Sequence, residues 1–190
     1  MLVTNILSSH HPKSQTRELV SVFNEELAAQ GHESFTYDLY EDGFQPIMRG
    51  DDFNQFSGKP LPADVSAIQA QLQKSQVLTL FYPVWWNGMP AIVKGWIDRV
   101  FSKSFAYDYG ADGTRGLLTF KKVIIVATLG NKKEDVDPQL EASMRFINET
   151  GIFRYSGVAE TEQHFLYSAF SDEESKAATL ERVRDMARRC

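Results

Sequence analysis

The run Val123-Ile124-Ile125-Val126-Ala127-Thr128-Leu129 is β-branched and apolar at almost every position. A strand with one wet face alternates apolar and polar residues, whereas a strand covered by helices on both sides does not. This run therefore reads as the central strand of a parallel sheet. Leu2–Leu7 and Val77–Tyr82 are apolar runs of the same kind, the second stopped by Pro83. Phe35, Tyr37 and Leu39 alternate with polar residues as in a half-buried strand, and a last strand is expected within Ser156–Tyr167.

Helical spacing fills the intervals. Leu19, Phe23 and Leu27 recur every fourth residue, with Gly31 placed to cap the C-terminus. Val65, Ile68 and Leu72 mark a second helix over 63–74. Pro90 opens a third, with Ile92, Val93, Trp96, Ile97 and Val100 facing inward and Lys94, Asp98 and Arg99 assigned to its solvated side. Asp137-Pro138 starts a fourth that Gly151 is expected to end, and Ser171-x-x-Glu174 reads as the capping box of the last. Residues 41–62, rich in Gly, Pro and Asp, read as a long loop, and Phe105–Leu118 as a hairpin or excursion. Strictly alternating strands and helices with right-handed crossovers give a doubly wound α/β sheet, here one domain over 1–190. Ligands of such sheets bind beyond the carboxyl ends of the strands, which nominates loops 8–16, 82–89 and 128–136.

Composition narrows the function classes. The 190 residues are 43% hydrophobic and 24% charged, as in globular chains, and carry a formal net charge of −5. An acidic chain does not suit nucleic acid or an anionic membrane surface, so neither partner is expected. No apolar run is long enough to span a bilayer, and residues 1–30 lack the basic-then-apolar pattern of a secretory signal. The single cysteine, Cys190, forms no intrachain disulfide and fits a cytoplasmic setting; the four histidines lack metal-site spacing, so no metal is expected.

Loop 8–16 has the donor chemistry of an anion site: Ser14 and Thr16 hydroxyls, His11, and a helix N-terminus. It lacks the glycine spacing of a dinucleotide or nucleoside-triphosphate loop, and a hydrophilic loop with a serine cap would look the same. Loop 82–89, Tyr-Pro-Val-Trp-Trp-Asn-Gly-Met, is less ordinary. Adjacent side chains on an extended backbone point to opposite faces, so Trp85 and Trp86 cannot both enter the core. One indole is left at the rim of the cleft, suited to a planar aromatic ligand, with Asn87 and Gly88 amides offered as donors to it. The reading without a ligand packs both rings beneath loop 41–62. Thr128-Leu129-Gly130-Asn131 closes the central strand and by itself says little.

The run Pro83-Val84-Trp85-Trp86-Asn87-Gly88-Met89-Pro90-Ala91-Ile92-Val93-Lys94-Gly95-Trp96-Ile97-Asp98-Arg99-Val100-Phe101, followed by Phe105-Ala106-Tyr107-Asp108-Tyr109, resembles the signature of the NAD(P)H:quinone oxidoreductase family. Asp38-Leu39-Tyr40 with Phe44-x-Pro46-Ile47 matches it as well, and the resemblance runs from about residue 1 to 165. It implies a flavodoxin-like five-stranded parallel sheet of order 2-1-3-4-5 with helices on both faces. It also implies a homodimer with the site at the interface, and two-electron transfer from NAD(P)H through a flavin to a quinone-like acceptor. On this resemblance His11, Ser14 and Thr16 look like contacts of the flavin ribityl phosphate. Pro83, Val84, Trp86, Asn87, Thr128, Leu129 and Gly130 look like contacts of its ring, with Trp85, Gly88 and Asn131 completing the cofactor set. Tyr107 and Tyr109 fall where the family lines the substrate pocket, often of the partner subunit, and are the catalytic candidates.

The chain departs from the long mammalian-type pattern at Gly130-Asn131, which stands for Gly-Gly, and at the charged Lys132-Lys133-Glu134-Asp135. Val136 and Asp137 stand near where some relatives carry a tyrosine and a histidine. These departures favour FMN, with FAD the alternative. A flavin-binding regulatory or electron-carrier subunit with little turnover is the competing function.

Overall fold

The order of the elements follows the apolar pattern closely. The computed structural model describes residues 1–168 and 170–190. Five parallel strands, β1 (Leu2–Leu7), β2 (Glu33–Asp38), β3 (Val77–Pro83), β6 (Lys122–Leu129) and β7 (Thr161–Tyr167), lie in the order β2-β1-β3-β6-β7. A separate antiparallel hairpin, β4 (Tyr107–Gly110) with β5 (Gly113–Gly116), interrupts the series, as the aromatic and glycine content of that segment foretold. Counting only strands of the main sheet, the order is the expected 2-1-3-4-5.

The central strand shows why an unbroken apolar run is required there. Val123, Ile125, Ala127 and Leu129 of β6 enter one core, which includes residues of α2 (Ala63–Leu72), α3 (Ala91–Val100) and α4 (Pro138–Phe146). Ile124 and Val126 enter the other, shared with α1 (Gln15–Ala29) and α5 (Glu173–Arg188). Successive side chains thus serve opposite layers, the period-2 rule applied to a strand buried on both faces.

Three boundaries depart from expectation. Gly151 does not end the fourth helix: α4 continues as a π-helical stretch, Ile147–Arg154, and Gly151 is not among the residues of positive φ that a glycine stop would use. The last strand consequently begins at Thr161 rather than within 156–160. The final helix is capped by Asp172, whose carboxylate accepts from Ser175 N at 2.7 Å, so Ser171 and Glu174 do not form the box. Gly31, at φ +74°, does follow the end of α1 as read.

The largest correction concerns Arg99. It is not on the solvated side of α3 with Lys94 and Asp98, but only 4% exposed. Its Nε donates to both oxygens of Asp52 at 3.0 and 3.1 Å, and its Nη atoms donate to Asp64 and to the Gln45 carbonyl. The guanidinium also lies 5.3 Å over the Phe44 ring. The long loop is thereby clamped onto α3, and it contains a 3-10 turn, Gly50–Phe56, rather than irregular chain alone. Gly95 permits this approach, since a Cβ there would fall 2.2 Å from the Pro46 carbonyl oxygen. Gly95→Ala is therefore expected to lower stability by about 1–3 kcal/mol through overpacking. Urea unfolding followed by circular dichroism measures it, and an unchanged midpoint would contradict the clamp.

Candidate functional site

The carboxyl ends of β1, β3 and β6 bring the three nominated loops to one edge of the sheet. After β1 the chain folds back so that Ser14 N donates to the His11 carbonyl at 3.0 Å. Ser14 caps α1, its hydroxyl accepting from Arg17 N at 3.2 Å, and it hydrogen-bonds the buried Ser9 hydroxyl. Thr16 is buried in the first turn. The N–H groups of Gln15 and Thr16 donate to no protein atom among the described residues, which leaves two oriented donors at the positive end of the helix dipole. His11 is exposed, and its Nδ1 accepts from the Lys13 N–H at 3.1 Å.

After β3, Val84 N still bonds the Thr128 carbonyl at 2.8 Å, so Pro83, Val84 and the end of β6 stay in register. The chain then reverses within four residues: Trp85 and Gly88 exchange both backbone hydrogen bonds at 3.1 Å. Trp86 and Asn87 at the tip have φ of 51° and 55°. Two residues of positive φ are the requirement of a tight hairpin turn, normally met by Asn-Gly. A tryptophan there is strained, and strain of this kind collects at ligand sites. The same twist turns the Trp86 side chain wholly into solvent, 100% exposed, while Trp85 is 43% exposed with its ring 5.4 Å from that of His10. The indole on the rim is thus Trp86. One expectation fails: the Gly88 N–H is committed to Trp85 and is no donor to a ligand, whereas those of Asn87 and Gly130 bond no protein atom among the described residues.

Two cavities flank this turn and share Val84 and Asn87. One, of about 230 Å³, is walled by Trp86, Leu129, Gly130 and Asn131 on one side and by Asp135, Asp137 and Leu140 on the other. The second, of about 240 Å³, runs beneath the turn toward the π-helical stretch. Leu129, Gly130 and Asn131 therefore stand beside the turn, and Thr128, itself buried, reaches it through the carbonyl that accepts from Val84 N.

Tyr107 and Tyr109 do not line either cavity. They lie edge to face, 5.7 Å apart, on β4, and Tyr107 is 5.8 Å from Tyr155. Tyr109 is 60% and Tyr155 49% exposed, so the three rings form an outward aromatic surface. Burial, foremost, pushes the Tyr107 phenol above its usual range, which keeps it protonated as a hydrogen-bond donor. Sequence reading missed Tyr155, as well as Asp135. Among the described residues no cluster of His, Cys, Asp or Glu could hold a metal, and no helix is long and apolar enough to cross a membrane.

Comparison with known proteins bears on the whole edge. A family model described as flavodoxin-like fold matches residues 1–189. A protein named as an uncharacterized NAD(P)H oxidoreductase from Haemophilus influenzae is 35% identical over 133 residues, 67% of this chain and 64% of its own. Another of that name from Escherichia coli is 29% identical over 187 residues, covering 93% and 92%. Among solved structures, the NAD(P)H:quinone oxidoreductase from Methanothermobacter marburgensis superposes with a TM-score of 0.90 at 28% identity, over 99% of this chain and 98% of that one. The chain spans about three fifths of the length of several curated relatives it matches.

Proposed function

The chain belongs to the family of flavodoxin-like fold, and from that premise we propose that it is a flavin-dependent NAD(P)H oxidoreductase reducing quinones or similar acceptors. The observation that carries this reading is Trp86, a fully exposed indole held in a strained turn at the edge of a cavity, on the same sheet edge as a helix N-terminus with free N–H groups. A planar ring joined to a phosphate fits that pair of features, and FMN is the form we favour over FAD. The relatives' names, NAD(P)H oxidoreductase and NAD(P)H:quinone oxidoreductase, support the donor and the acceptor class.

The residues divide the work as follows. Ser14 and the Gln15 and Thr16 N–H groups would hold the phosphate, with Ser9, whose hydroxyl donates to the His11 carbonyl, fixing the loop before binding. Trp86 would set the plane of the ring, and Pro83, Val84 and Leu129 would exclude water from its inner edge. Once bound, the flavin supplies hydride acceptance from the nicotinamide and return to the acceptor. The Asn87 and Gly130 N–H groups would donate where negative charge collects on reduction, an arrangement effective because it needs no reorganisation. A second copy of the chain, met through the aromatic surface of Tyr109 and Tyr155, would place Tyr107 and Tyr109 over the opposite site as donors to an acceptor oxygen. A cytoplasmic homodimer is the form proposed.

Purified protein is expected to be yellow and to bleach anaerobically on mixing with NADH or NADPH, and initial rates against acceptor should give the parallel lines of ping-pong kinetics. Slow bleaching would favour a carrier, and protein that cannot be loaded with FMN or FAD would refute the reading. Trp86→Ala should weaken FMN binding by about fivefold or more, since an aromatic pair is worth about 1 kcal/mol beyond its buried area. Flavin content per chain measures this, and an undiminished content would remove Trp86 from the site.

A further inference from the structure

The cavity beneath the turn shares Val84 and Asn87 with the proposed flavin site, but the rest of its lining has no part in the proposed reaction, and its interior is built. Its walls are apolar, from Met89, Met144, Ile147 and Ile152, and its floor carries Tyr82, Asn148 and Gln163. These three polar residues are 1%, 6% and 5% exposed. Asn148 Nδ2 donates both to the Tyr82 hydroxyl oxygen at 3.2 Å and to Gln163 Oε1 at 3.0 Å. Those two bonds use acceptors on Tyr82 and Gln163 but none of their donors. Among the described residues, the Tyr82 O–H and the Gln163 amide N–H groups donate to no protein atom. Burial pushes the Tyr82 phenol well above the usual range, so the hydroxyl stays protonated and remains a donor. Buried polar hydrogens are rarely left without an acceptor, and here the open side is a cavity.

We propose that this cavity is a second small-molecule site, for an uncharged one-ring aromatic compound bearing a carbonyl oxygen. The volume of about 240 Å³ is below the range of drug-sized pockets and suits one ring. The unused donors call for an acceptor oxygen, and the surrounding walls disfavour a charge, the Lys94 ammonium at the rim being already paired with Asp98. Because Asn87 and Gly88 form part of the lining, an occupant would press on the underside of the turn that carries Trp86. The site does not depend on the flavin reading, and its test needs no turnover.

Acetophenone and ethylbenzene differ by the carbonyl and make a matched pair of probes. In titrations of the purified protein followed by amide NMR shifts, acetophenone is expected to move Gly88, Asn148 and Ile152, and to bind at least tenfold more tightly than ethylbenzene. Tyr82→Phe should remove about tenfold of that affinity, while Ile147→Trp, at a 58% exposed rim position whose loss does not threaten folding, should block both probes. Equal binding of the two probes, unchanged acetophenone affinity in Tyr82→Phe, or shifts confined to residues outside the lining would each overturn the assignment.

Discussion

Arg99→Ala is expected to destabilise the protein by about 3–5 kcal/mol, the cost of removing one partner from a buried ion pair and leaving the other charge unpaired. Asp52 is 1% exposed and would lose both of its bonds to the guanidinium, keeping only the Arg49 N–H at 2.7 Å. Thermal or urea unfolding should show the loss, with proteolysis first appearing in the Gly50–Phe56 turn, which Arg99 ties to α3. Lys at the same position cannot restore the fork to Asp52 and Asp64 together, so Arg99→Lys should recover only part of the stability. The acid limb follows the same contact. The Arg99 hydrogen bonds hold the Asp64 carboxyl below its usual range. A depressed carboxylate stabilises the fold above its unfolded pKa, and that contribution fades as pH falls through the folded value. Arg99→Ala should therefore flatten the acid side of the stability profile, besides lowering its maximum. A shift of less than 1 kcal/mol would mean that the pair is no anchor.

The difference between Arg99 and the central strand shows what a sequence makes legible. VIIVATL declares its surroundings locally, since neighbours of one character admit few environments, and the doubly wound parallel sheet followed from it and the other apolar runs, whereas the strand order came from the family resemblance. Arg99 sits in a helix whose periodicity says only which face turns inward. Its partner Asp52 is 47 positions away in a loop without periodicity, so nothing local distinguishes a buried clamp from a solvated charge. Tyr155 was hidden for a related reason. It follows a stretch of π-helix, in which i to i+5 bonding breaks the 3.6-residue repeat and shifts every later side chain to another face. At the site itself, strand geometry showed only that one indole turns outward, and the choice of Trp86 rested on the family resemblance. In the fold it depends on Trp86 and Asn87 adopting positive φ, a tertiary choice against propensity. The same closure consumed the Gly88 N–H and left the Asn87 and Gly130 N–H groups as the donors. Where local rules failed, the exceptions fell mostly on the loop clamp and the candidate site, as expected of positions held by tertiary context.

Ser14→Asp should abolish measurable flavin loading while leaving the fold intact, and that combination tests the anion site more sharply than deletion would. Aspartate caps a helix about as well as serine, so the bond from Arg17 N survives and stability should change little. The carboxylate, however, would sit beside the free Gln15 and Thr16 N–H groups, satisfying the helix dipole from within and repelling a phosphate placed there. Two unit charges about 4 Å apart interact by about 4 kcal/mol at the effective dielectric of a protein surface, and salt reduces this. FMN affinity is thus expected to fall by about 100-fold or more, measured by fluorescence quenching of FMN on titration with protein stripped of flavin. Riboflavin, which has the same ring without the phosphate, supplies the internal control. Its weaker binding should be nearly unaffected by Ser14→Asp but reduced by Trp86→Ala. If Ser14→Asp lowers both ligands equally, the loop is only a structural cap. If FMN binds the variant as before, the phosphate lies elsewhere on the sheet edge, and the turn at Trp86 must be read without its neighbour.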